Sequence, residues 1–152
     1  MAAPEWQWAA ENEAFGRAIY DVLDEKAWTR VFGGNIPTTV GLVLKETIEK
    51  SPEIVQGYVN ACYRAQRWIR KAKDDEIVHL LHKPYMETFK REDVQRSVRY
   101  YKTIFDWDFL IDEKDYDNGT RVWVPLALEK PIAYARAADM SFVRQAHAKF
   151  KS

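Results

Sequence analysis

Between Ser51 and Ala72 the apolar residues recur at three- and four-residue steps, through Ile54, Val55, Tyr58, Val59, Ala61, Cys62, Ala65, Trp68, Ile69 and Ala72. Gln56, Asn60, Arg64, Arg67 and Lys71 fall on the other side, so the spacing predicts one long amphipathic helix over 52–72 with a wide face to bury. Its start is well marked. Ser51 can accept from a free amide of the first turn, Pro52 has its φ preset for the first helical position, and Glu53 suits the positive end of the dipole. Just before it, Thr38 to Ile48 (TTVGLVLKETI) is short, β-branched and apolar, the profile of a buried strand feeding a helix. A strand over about 38–45, a turn and the central helix form the organising unit.

Elsewhere the pattern is mostly helical. Phe15, Ile19, Val22, Leu23 and Trp28 keep helical spacing over Glu11 to Trp28, after a lead-in over 1–10 that carries two Trp and little pattern and is expected to be disordered in part. Gly33, Gly34 and Asn35 allow left-handed backbone, and Pro37 makes Ile36 extended, so Val31 to Pro37 reads as a tight connection. Asp74 and Asp75 cap a second helix that Pro84 closes; a third is expected over 91–106 and a closing one over 137–150. Asp117-Asn118-Gly119 reads as a turn, and Thr120 to Val124, rich in β-formers, as a second strand over 120–124. The expectation is therefore a single α/β domain over 11–152 with few strands and four to five helices.

Composition narrows the function classes. The 23 basic and 23 acidic residues cancel, which argues against a bulk electrostatic role on nucleic acid or a membrane surface. Aromatic residues make up 14%, so some rings are expected at a surface, cleft or interface unless the core takes them all. Cys62 is the only cysteine, which rules out an intrachain disulfide and leaves the redox compartment open. No run approaches the roughly 18 apolar residues of a membrane span, and Met1 to Trp8 lacks the basic head and apolar block of an export signal. A soluble chain without an address of its own is expected.

Candidate chemistry is sparse. His79 and His82 lie three apart with Glu76 one turn earlier, a weak metal-ligand spacing with no second cluster to complete it; a solvated helix face is the plainer reading. The acidic run from Asp106 to Asp117 lacks the order of a calcium loop. Gly34 and Asn35, with the hydroxyls of Thr38 and Thr39, are the candidate ligand-binding group: either backbone amides presented to an anion, or a turn chosen only for its angles. No catalytic residue and no cofactor site is legible.

The run GGNIPTTVGLVLKETIEKSPEIVQGYVNACYRAQRWI resembles bacterial periplasmic solute-binding proteins of the nitrate, taurine, sulfonate and thiamine-pyrimidine class, which serve ABC transporters. The likeness sits on Val40 to Leu44, Lys45 to Ile48, Pro52, Glu53, Tyr58, Ala61, Ala65, Trp68 and Ile69, and continues in the tail at Pro131, Tyr134, Asp139, Ser141, Phe142 and Ala146. The resemblance implies part of a type II periplasmic-binding-protein fold, a lobe of the C-terminal half, with Asn35, Thr38 and Thr39 near the cleft. It also implies a small anionic or heteroaromatic ligand, an ABC permease as partner, and the periplasm as compartment, the cytoplasm being the alternative. Proteins of that class are about twice as long, so a missing-half partner or a homo-oligomer is expected to complete the sheet. Two other classes stay open: an enzyme on the same fold, of the pyrimidine-precursor synthase or decarboxylase type, for which only His79, His82 and Cys62 offer chemistry, and an interaction domain without a small ligand.

Overall fold

The computed structural model describes residues 4–17, 19, 24–127 and 130–150. In order, the elements are α1 (Pro4–Asn12), α2 (Glu25–Phe32), α3 (Lys45–Lys50), α4 (Pro52–Lys71), α5 (Asp74–Tyr85), α6 (Arg91–Ile104), α7 (Glu113–Ala127), α8 (Tyr134–Ala137) and α9 (Ser141–Lys149). Among the described residues every regular element is a helix, and there is no sheet. This corrects the expectation of an α/β, type II periplasmic-binding-protein lobe with strands over 38–45 and 120–124.

Both corrections have a local cause. Residues 40–44 lie outside any helix, with Leu44 extended at φ −68° and ψ 141°, but no neighbouring strand supplies a ladder. A β-prone sequence without a partner chain beside it stays extended and is not a sheet. Residues 120–124 belong to α7 instead. Asp112 accepts from the amide of Asp115 through Oδ1 at 2.7 Å, and Glu113 and Asp115 sit at the positive end of the helix dipole. That start signal outweighs the Asp117-Asn118-Gly119 turn signal, which is carried inside the helix.

The chain divides into two compact units, residues 1–21 with 66–107, and 22–65 with 108–152, and α4 contributes residues to each. In the first unit the core is Ala72, Ile77, Val78, Val94 and Val98, where α5 lies against α6, with Ile69, Met86 and Phe89 around it. Val78 and Val94 are fully buried. The lead-in carries α1, whose Trp8 is buried with the Arg96 guanidinium over its ring and Tyr100 packed edge-on. Of the helix expected over Glu11 to Trp28, α1 ends at Asn12 and α2 begins at Glu25, where the Asp24 carboxylate accepts from the Ala27 amide at 3.0 Å. Val22 and Leu23 lie outside the described residues.

Lys102 ties the connection between α4 and α5. Its Nζ donates to the Ala72 carbonyl at 2.9 Å and to Asp74 at 3.2 Å, while Arg99 donates to the other Asp74 oxygen at 3.1 Å. Burial alone would push the Asp74 carboxyl up, but the hydrogen bonds and charges of Lys102 and Arg99 outweigh it and hold Asp74 below its usual range. A carboxyl with a depressed folded pKa contributes stability that is present above its unfolded pKa, about 3.9, and lost as pH falls through the folded value. Lys102→Met is expected to cost about 1–2 kcal/mol at neutral pH and, by raising the folded Asp74 pKa toward its unfolded value, to make the acid loss smaller and complete it at higher pH. Urea titrations of both proteins between pH 2 and pH 7 test this; parallel stability curves would refute the assignment.

In the second unit, Val55 and Tyr63 of α4 are buried, as are Phe142, Val143 and Ala146 of α9. Gln56 donates to the Phe142 carbonyl at 3.0 Å, and Tyr63 stacks on His147 with ring centroids 4.8 Å apart. Half of the stripe that the sequence assigns to burial on this helix is not covered. Ile54, Tyr58 and Trp68 are exposed.

Candidate functional site

The Gly33 to Pro37 connection is built for its angles and held from both sides. Gly33 closes α2 in the left-handed region at φ 80° with its amide on the Thr29 carbonyl, and Gly34 follows at φ 141°. Trp28 donates its indole N–H to the Gly34 carbonyl at 2.8 Å. From α7, the almost fully buried Asn118 donates to the Asn35 carbonyl at 3.3 Å and accepts from the Arg121 guanidinium. A side chain at Gly34 would place its Cβ 2.9 Å from the Asn118 amide nitrogen, so glycine is required there by space as well as by φ. Gly119 lets α7 approach the turn closely, since a Cβ there would lie 3.2 Å from the Pro37 ring.

Of the candidate ligand-binding residues, Gly34 and Asn35 therefore spend their carbonyls on the protein's own donors. The Asn35 side chain hydrogen-bonds Asp115, whose carboxyl is nonetheless raised: burial contributes most, then the negative charge of Asp112, with Lys114 and Asn35 pulling back. Thr38 and Thr39 are exposed and belong to the next stretch of chain, beyond the buried Ile36. The structure brings Gly34 and Asn35 together with Trp28, Asn118 and Arg121, and leaves the two hydroxyls outside that cluster.

His79 and His82 part company although they share α5. His82 Nε2 lies 2.9 Å from the Phe89 carbonyl, a contact that fixes the loop after the helix. His79 is exposed beside an open depression of about 430 Å³ lined also by Trp68, Asp75, Glu76 and Leu80. No group of three His, Cys, Asp or Glu side chains among the described residues is placed to hold a metal ion. Cys62 is hydrogen-bonded with Tyr58 one turn away, and this contact is the main cause that pushes the Tyr58 phenol up. His147, on Tyr63, also contacts the Asp108 carbonyl.

What the structure leaves open is apolar surface. The 14 residues from Val31 to Leu44 carry no charge in a chain of which 30% is charged. Val40, Leu42, Val43 and Leu44 are 46%, 92%, 47% and 74% exposed, and no hydrogen bond among the described residues engages the backbone of 38–43. Gly41 lies on Tyr58, where a Cβ would be 3.3 Å from the ring, so the segment continues onto the exposed Ile54 and Tyr58 of α4. Scattered single apolar residues on a surface are ordinary; a continuous exposed run of this kind is not. The absence of charge from Val31 to Leu44 is the signal by which the sequence could have revealed it.

No helix among the described residues is long and apolar enough to cross a membrane. No protein-family model, curated protein or solved structure matches the chain.

Proposed function

We propose that this chain is a protein-interaction module, which acts by docking the Val40 to Leu44 segment and the adjoining flank of α4 onto another polypeptide and transforms no small molecule. The exposure of Leu42 at 92% in the middle of an uncharged, β-prone run is the observation that carries it. Exposed Leu42, with Val40, Val43, Leu44, Ile54 and Tyr58 around it, offers apolar area that a partner polypeptide's own apolar side chains would cover. The neighbouring turn supports the same reading, because Trp28 and Asn118 hold it at both carbonyls and so fix where the segment leaves the helical body.

A photo-crosslinking side chain placed at position 42, with one at His79 as control, tests the proposal in living cells. The expected result is an adduct with a polypeptide from position 42 and little from position 79. Absence of any polypeptide adduct at position 42, or a small anionic or heteroaromatic metabolite that raises the melting temperature of the purified chain by several degrees, overturns it.

A further inference from the structure

We infer that the polypeptide received at this surface is an α-helix with an acidic flank, laid antiparallel along the uncovered face of α4; this deepens the interaction reading and rests on it. Within the second unit, Ile54, Tyr58, Ala61 and Ala65 are the apolar positions of α4 that stay exposed, and Trp68 continues the series along the same helix. They follow one another at steps of four, three, four and three residues. That alternation keeps a narrow seam on one side of a helix, and it is the spacing by which two helices pack side by side. The remaining apolar positions are taken up within the chain: Val55 and Tyr63 are buried, and Val59, Cys62 and Ile69 are half-buried.

The seam has room for a helix. Ala61 and Ala65 carry nothing beyond Cβ, so a second helix axis can come to about 8 Å there, the close end of the usual range. Ile54 and Tyr58 supply larger apolar area beside this narrow middle, and Gly41 of the exposed 40–44 run lies against the Tyr58 ring, so the run and the seam adjoin.

Charge selects the occupant. Between Pro52 and Lys71 there are four basic residues, Arg64, Arg67, Arg70 and Lys71, and one acidic residue, Glu53. Arg64 and Lys71, seven residues apart, stand on the margin of the seam opposite Val55, Cys62 and Ile69. Both are exposed, and the ion pairs among the described residues include neither. The Arg64 guanidinium lies over the Phe150 ring, a contact that leaves its charge in place. A helix with Glu or Asp beside its own apolar seam complements this margin, whereas a second copy joined through the same face would bring another basic helix. The basic residues sit in the C-terminal half of α4. Acidic side chains are most favourable in the first turns of a helix, at the positive end of its dipole, so the arrangement that satisfies both helices is antiparallel, with the acidic turns beside Arg64 and Lys71.

Two fluorescein-labelled three-heptad peptides test this on the full chain by fluorescence anisotropy. Both carry Leu at the seam positions; one has Glu and the other Lys at the flanking positions. The Glu peptide is expected to bind roughly tenfold more tightly than the Lys peptide, and Arg64→Glu with Lys71→Glu to reverse that order. Ala61→Arg adds a positive charge yet is expected to weaken the Glu peptide roughly tenfold, because its bulk blocks the seam, with the helical circular dichroism spectrum unchanged. A photo-crosslinker at the N-terminus of the Glu peptide should mark residues around Lys71 and not those around Ile54. No binding of the Glu peptide, equal binding of the two, tighter binding to Ala61→Arg, or marking around Ile54 overturns the inference. If it fails in any of these ways and the position 42 crosslinker still captures a polypeptide, the helical occupant is wrong and the interaction reading stands; if neither occurs, both fail.

Discussion

Val94→Asp is expected to abolish the native fold of the unit formed by α5 and α6. Val94 is fully buried among Ala72, Ile77, Val78 and Val98, with no polar group in that cluster to receive a carboxylate. An unpaired charge in such a place costs more than about 4 kcal/mol, a large part of the 5–15 kcal/mol by which domains are stable. Val94→Ala removes two methyl groups and leaves a cavity, and is expected to cost about 2–3 kcal/mol. Circular dichroism melts rank the three proteins, and amide exchange locates the damage in α5 and α6. A Val94→Asp protein that melts within a few degrees of the parent would disprove the packing described.

Asn118→Leu has the next largest expected effect. Leucine keeps the branching of Asn118 at slightly larger size but removes both of these hydrogen bonds, leaving the Asn35 carbonyl without this donor and the Arg121 guanidinium without this acceptor. Asn35 and Arg121 are themselves exposed, so the loss of these part-buried bonds is expected to cost about 1–2 kcal/mol. The loss is expected to appear as a lower urea midpoint and as faster amide exchange over residues 33–37. The position of the Val40 to Leu44 segment depends on that turn, so association through Leu42 should weaken as well. Unchanged exchange at the turn would mean that Trp28 alone secures it.

These two positions differ in how far the sequence announces them. Val94 was legible: with Val98 it marks the buried side of a helix expected over 91–106 and found over Arg91–Ile104. Asn118 was not, because Asp117-Asn118-Gly119 is a turn signal in isolation, and only the capped, acidic start of α7 makes it helical. With that helix in place, Asn118 faces a carbonyl 83 residues away, a pairing that no local pattern contains. His82 is a similar case. Its spacing from His79 allowed only a weak metal-ligand reading beside the plainer one of a solvated helix face, and its contact with Phe89 depends on how the chain folds back after Tyr85.

The amphipathic stripe on α4 shows the limit from the other side. Periodicity specified that residues 52–71 are helical, since propensity, capping and 3.6-residue spacing are local properties that the chain carries wherever it goes. It did not specify which apolar residues would be covered, for burial depends on what else comes near. Val55 and Tyr63 are buried, Tyr63 against His147 of α9, while Ile54 and Tyr58 on the same helix stay exposed. The same division applies to Thr38 to Leu44. By itself the sequence determined that this stretch is apolar, uncharged and β-prone; only the tertiary structure decided that it is exposed rather than a buried strand, with no strand beside it among the described residues, because a sheet requires a ladder between two segments and a single segment cannot make one.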